Sequence, residues 1–123
     1  MPAINFKAQF ADAVEHGRKR QTIRAERKDN RPPCKLGDTL SLYTGLRTKA
    51  TRKLGEGTCT FLGRISITET GIMVGERALT AEDQTRLAID DGFANTDEMV
   101  AWFEATHGLP FAGWIIKWEP THG

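Results

Sequence analysis

Gly17-Arg18-Lys19-Arg20-Gln21-Thr22-Ile23-Arg24 packs a lysine, a threonine and three arginines behind a single glycine. A lysine flanked by Arg18 and Arg20 is disfavoured in its charged form, and burial would lower its pKa further, so Lys19 suits the work of a general base. Thr22 offers a hydroxyl, which becomes a nucleophile when a base stands beside it. Arg24 lies two residues on, the spacing that puts it on the same face of a strand as Thr22, and a guanidinium there can clamp a phosphate or a carbonyl oxygen. On an open surface the same residues are only solvated charges and a strand-forming threonine. The sequence leaves both readings standing.

A second cluster runs through Tyr43-Thr44-Gly45-Leu46-Arg47-Thr48-Lys49 and Arg52-Lys53-Leu54-Gly55-Glu56. Its glycines permit close backbone approach, and its hydroxyls and cations suit phosphate oxygens. It is no P-loop, because Gly-Lys-Ser/Thr is absent. Arg18, Arg20, Arg24, Tyr43, Arg47, Lys49, Arg52 and Lys53 are therefore the candidate contacts to a substrate or a nucleic acid. Asp90-Asp91-Gly92-Phe93 supplies an acidic pair that can serve as an acid/base partner, as a counter-ion for Lys19, or merely as the end of a helix. His16, His107 and His122 are scattered, and neither Cys-x-x-Cys nor His-Glu-x-x-His occurs, so no metal site and no cofactor is expected. No Ser-His-Asp or Gly-x-Ser-x-Gly arrangement is available. Trp102, Trp114 and Trp118 are expected in the core rather than as stacking platforms.

The elements that must position these residues follow from periodicity. Residues 3–6 read as a first strand. Phe6, Phe10 and Val14 recur at helical spacing and predict a helix over 7–16, with Gly17 where a C-capping glycine belongs. Strands are predicted over 21–25, 39–43, 57–69, 72–74 and 113–118. Polar loops are predicted over 26–36, marked by Pro32-Pro33, and over 44–56. Thr80 with Asp83 forms a capping arrangement before a helix over 83–90; Asn95 or Thr96 caps another that ends at His107-Gly108. Short strands with few helices predict an α+β domain: a small, partly closed barrel of five to six mostly antiparallel strands with two to three helices outside.

The 123 residues suit one domain, and their composition, 39% hydrophobic and 27% charged, is that of an ordinary globular chain. No apolar run approaches ~20 residues and the N-terminus lacks the pattern of a signal peptide, so a cytoplasmic protein without a membrane partner is expected. Cys34 and Cys59 are too few for a disulfide framework and read as plain thiols. The net charge of +1 conceals an asymmetry: twelve basic and three acidic residues between Arg18 and Lys53 give +9, and the remainder, five basic and thirteen acidic, gives −8. One face is thereby suited to an anionic partner, with a nucleotide or nucleic acid the natural choice.

Taken together, the Gly17–Arg24 element, Gly37-Asp38, the Tyr43–Lys49 segment and Asp91-Gly92-Phe93 before the last helix resemble the ASCH domain, a branch of the PUA-like superfamily. The chain is similar over nearly its whole length to the small single-domain members common in phages and prophages. The resemblance implies a PUA-like β-barrel whose mouth binds RNA or a nucleobase. It also implies, by analogy with members that remove the acyl group from N4-acetylcytidine and related nucleosides, a metal-free amidohydrolase. In that reading Lys19 is the base, Thr22 the nucleophile or polariser, and Asp91 the acid. Asp91 stands where those amidohydrolases carry a glutamate, and the one methylene of difference shortens its reach by ~1 Å; Asp90 is the alternative acid. The long Arg47–Lys53 insertion is absent from the minimal amidohydrolases and suits RNA or another partner. Other relatives imply a non-catalytic RNA- or modified-base-binding module, or a ribonuclease, for which His16 is the only histidine near the basic junction. A monomer is slightly favoured.

Overall fold

A computed structural model describes residues 2–121. The chain runs β1 (Ala3–Phe6), α1 (Ala8–Glu15), β2 (Gln21–Ala25), β3 (Thr39–Thr44), β4 (Arg52–Thr68), β5 (Gly71–Val74), β6 (Arg77–Ala78), α2 (Ala81–Asp90), α3 (Thr96–His107) and β7 (Phe111–Pro120). It is an α+β fold of three helices and one seven-stranded, mostly antiparallel sheet; only β1 and β3 pair in parallel.

The frame is β4. One edge pairs with β7 over most of its length. The other pairs first with β3, through Arg52–Thr58, and then with β5, through Ile65–Thr68. The strand order is thus β2-β7-β4-β3-β1, with β5 and β6 extending the far half of β4. Neighbouring side chains of β7 go to opposite sides of this sheet, as strand geometry requires. Ile116 and Trp118 join Phe6, Leu40 and Leu42 inside the curl, whereas Ile115 and Phe111 join Ile67, Met99 and Phe103 beneath α2 and α3. Phe10 of α1 packs against both clusters.

Two expectations are corrected. In place of the expected partly closed barrel of five to six strands there is an open sheet of seven: β1 pairs only with β3 and β2 only with β7, leaving a seam between them with no ladder among the described residues. Across that seam Arg24 reaches over, its Nη2 donating to the Asn5 carbonyl at 2.6 Å. The predicted loop over 44–56 is also shorter, because β4 begins at Arg52. Its first residues pair with β3 (Tyr43 with Lys53, Thr44 with Arg52), and their charges are met locally, Arg52 by Glu15 at 2.7 Å and Lys53 by Glu56 at 2.6 Å.

The helix ends follow their capping residues. The Thr80 hydroxyl accepts from the Asp83 N–H at 3.1 Å, and the Asn95 side chain accepts from the Glu98 N–H at 2.8 Å. Gly17 follows α1 with φ +76°, and the N–H groups of Arg18 and Lys19 both return to the Ala13 carbonyl, at 2.8 and 3.0 Å. Lys19 is thereby tied to the end of α1 just before β2 starts. Cys34 and Cys59 are buried free thiols with sulfurs 3.8 Å apart; burial, reinforced by Cys59, pushes the Cys34 thiol up to about 12. No helix among the described residues is long and apolar enough to cross a membrane.

Candidate functional site

The unpaired edge of β2 opens onto a cavity of about 460 Å³. β1 and the start of α1 bound it with Phe6, Lys7 and Phe10, β2 with Thr22, Ile23 and Arg24, the α2–α3 turn with Asp91 and Phe93, and α3 with Trp102, Phe103 and His107. Lys19 completes the inner wall.

Lys19 is only 2% exposed and Asp91 4%. The ammonium donates to the backbone carbonyl of Asp91, stands 3.3 Å from Asp91 Oδ1, and lies 4.9 Å from the centre of the Phe10 ring. Burial pulls Lys19 below its ordinary value, opposed by the Asp91 charge. Burial likewise pushes Asp91 above the usual carboxylate range, opposed first by Lys19. The two shifts run towards each other, the behaviour of a desolvated pair in which one proton has two competing homes. Asp91 Oδ1 also accepts from Gln21 Nε2 at 3.1 Å, and that amide donates a second bond to the Leu87 carbonyl at 3.2 Å. Gly92 lets the turn come this close: its φ is +99°, and a Cβ there would lie 3.2 Å from the Phe10 ring and 3.6 Å from Lys19 Cδ.

Thr22 is 5% exposed, and its hydroxyl oxygen accepts from Arg24 Nε at 3.1 Å. That contact leaves the hydroxyl proton free to be donated or removed, while a fixed positive charge faces the oxygen. The Arg24 guanidinium also lies 5.0 Å over the Phe6 ring; burial lowers its pKa, opposed by Asp91.

Four predicted residues, Lys19, Thr22, Arg24 and Asp91, thus share one cavity. The others do not line it. Arg18 pairs with Asp12, and Arg20 with Glu119 at 3.2 Å; both line a separate depression beside Lys117. Tyr43 is half-buried on β3, Arg52 and Lys53 are ion-paired on β4, and Arg47 and Lys49 are exposed in the loop between those strands. Asp90 does not line this cavity; it borders a separate depression together with Arg86 and Lys117. His16 is exposed beside Asp12, at 3.2 Å, outside the cavity; His122 lies outside the described residues.

Sequence reasoning missed the aromatic wall. Trp118 is core as expected, but Trp102 is half-buried in the cavity, with Lys7 Nζ 5.0 Å from its ring and the Phe93 ring at 5.7 Å. Trp114 is half-buried beneath Arg64, 4.2 Å away. The helical stripe containing Trp102 cannot tell a core face from a cavity wall. Gln21 carried no signal at all: its strand spacing says which face it takes, not that a carboxylate waits there. Among the described residues no three His, Cys, Asp or Glu side chains cluster to hold a metal ion. Comparison with family models, with curated proteins and with solved structures finds no match to this chain.

Proposed function

We propose that the protein recognises a nucleobase or nucleoside in this cavity and hydrolyses an exocyclic amide, as an ASCH-type amidohydrolase acting on N4-acylcytidine-type nucleosides. One observation carries the reading: a buried lysine, its carboxylate partner and an arginine-held threonine meet in a single aromatic-walled cavity. The aromatic rings suit a planar base. Lys19 in its neutral form takes the proton from Thr22 as Oγ1 attacks the acyl carbonyl; the electron pair of the C=O bond goes to the carbonyl oxygen, and the Arg24 guanidinium beside Thr22 is the positive charge that offsets it. Collapse expels the N4 amine, which receives the proton from Lys19. Water then cleaves the acyl-threonine ester, releasing the carboxylic acid. If Thr22 polarises instead, Lys19 activates the water directly and no ester forms. Asp91, 3.3 Å away, stabilises the ammonium while Lys19 carries the proton from Thr22 to the amine.

The test is turnover of N4-acetylcytidine, followed by absorbance or mass spectrometry, in wild type, Lys19→Ala and Thr22→Val. Deacetylation is expected in wild type alone. A folded Lys19→Ala protein with wild-type turnover would remove the mechanism, and a silent wild type would remove the activity. A trapped acyl-Thr22 adduct would separate nucleophile from polariser.

One observation favours a second reading, an RNA- or modified-base-binding module without turnover. Arg47 and Lys49 are exposed and make no ion pair among the described residues, on a loop pinned by the Leu46 N–H to Asn5 Oδ1 at 2.9 Å. Cations held out to solvent in this way suit phosphates.

A further inference from the structure

The cavity lies on a strand edge, and the register of that strand fixes which backbone groups face into it. In an antiparallel pair, alternate residues turn their N–H and C=O towards the partner strand, and the residues between turn theirs away. Trp118 N donates to Arg20 O at 3.0 Å, and Glu26 N donates to Ala112 O at 3.3 Å. Both bonds continue the register that sets Thr22 opposite Ile116 and Arg24 opposite Trp114. Arg20, Thr22, Arg24 and Glu26 therefore spend their backbone groups on β7. Gln21, Ile23 and Ala25 turn theirs to the other side, where β2 has no strand partner. Ile23 and Ala25 line the cavity. The neighbouring strand does not take up these groups, because its Asn5 carbonyl is held by the Arg24 side chain rather than by β2 backbone.

An open strand edge ordinarily recruits another strand. Here the edge is short and walled: Phe10 stands on one side, with Phe93 and Trp102 against it at ring separations of 5.8 and 6.2 Å. Such a slot takes a flat group rather than an extended chain. The group must bring an acceptor and a donor side by side on one edge, to meet one backbone N–H and one C=O.

Resting on the nucleoside reading above, we propose that the outward-facing N–H and C=O of Ile23 read the base edge, the N–H donating to N3 and the C=O accepting from the N4–H of an N4-acylated cytosine. Backbone recognition of this kind makes the site selective through geometry that no side-chain substitution at position 23 removes. It places the N4 substituent by contact with the strand that carries Thr22.

The test is a titration of ¹⁵N-labelled wild-type protein with cytidine, which keeps N3 and N4–H and has no acyl group to lose, and with N4,N4-dimethylcytidine, which lacks the donor. Cytidine is expected to move the Ile23 amide resonance downfield to saturation and to slow its hydrogen exchange. The dimethyl analogue is expected to bind about tenfold or more weakly, since it leaves a buried carbonyl unpaired. Saturable shifts at Trp102 and Phe93 with Ile23 unmoved, or equal binding of the two nucleosides, would overturn the inference while leaving the nucleoside reading intact. No perturbation in the cavity by either cytidine or N4-acetylcytidine would overturn both.

Discussion

Lys19 and Asp91 set the energetics of the site because neither can be removed alone without cost. Each is nearly inaccessible to water, and a buried charge left without its partner costs about 3–5 kcal/mol, whereas replacing both with apolar groups of similar volume is often neutral or stabilising. Lys19→Met is therefore expected to lower the urea-unfolding free energy by about that amount, and Lys19→Met with Asp91→Leu to recover most of it. A double variant no more stable than Lys19→Met would show that the cost does not come from an unpaired Asp91 charge. The pH dependence has a defined sign. Lys19 acts as base only when neutral, so turnover is expected to rise with pH through its lowered pKa. Asp91 is what raises that pKa against desolvation. Asp91→Asn removes the raising influence, so the ascending limb of the pH–rate profile is expected to move to lower pH. A limb that stays in place would mean that another group is titrating. Of these residues, Lys19, Thr22 and Arg24 were legible in the sequence because one motif carries all three at strand and junction spacing. Asp91, some seventy residues away, was legible only as one of an acidic pair, and the sequence did not decide between it and Asp90. Gln21 and the aromatic wall were not legible, since burial beside a carboxylate depends on which elements meet.

At the scale of elements, the turn between α2 and α3 converts local sequence into site geometry. Thr80 and Asn95 fix the N-terminal ends of the two helices, and both were readable as caps before residues three positions on. Gly92 between them carries the positive φ and the close approach to Phe10 and Lys19. Gly92→Ala is expected to destabilise the protein by about 1–3 kcal/mol, from left-handed strain together with crowding of the Phe10 ring. It should also weaken any nucleoside bound in the cavity, because the added methyl lies against its wall. Thermal unfolding and a nucleoside titration of this variant check the two parts separately, and an unchanged midpoint would show that the turn has room to relax. The start of β4 was hidden for a different reason. Arg52, Lys53 and Glu56 look like loop residues, yet their backbone hydrogen bonds go to β3 and their charges are compensated by Glu15 and by each other. Strand pairing needs only backbone, so a charged edge stretch carries little hydrophobic signal. The open seam was hidden for a related reason: alternation identifies β1 and β2 as strands but says nothing about whether the two edges meet.

Across the whole molecule, the +9 segment is less free than its composition suggests. Arg18, Arg20, Arg52 and Lys53 are each matched by an acid, Asp12, Glu119, Glu15 and Glu56 in turn. Arg27, Lys28, Arg31, Lys35, Arg47 and Lys49 make no ion pair among the described residues and are exposed on the two loops that follow β2 and β3. A cation already neutralised by a neighbouring carboxylate releases few counterions when a phosphate arrives, whereas an unpaired one contributes about 0.7 to the salt slope on a single strand. The segment thus divides into residues that hold the fold's own surface together and residues available to a polyanion. Neutralising Arg47 and Lys49 together is expected to flatten the slope of log K against log salt for a single-stranded RNA by about 1.4, while neutralising Arg52 and Lys53 changes it little. Fluorescence anisotropy across a salt series checks both variants. Equal flattening by the two pairs would mean that the ion pairs open on binding. No flattening by Arg47 and Lys49 would take that loop out of the interface and move the polyanion contact to the exposed cations of the loop after β2, Arg27, Lys28, Arg31 and Lys35.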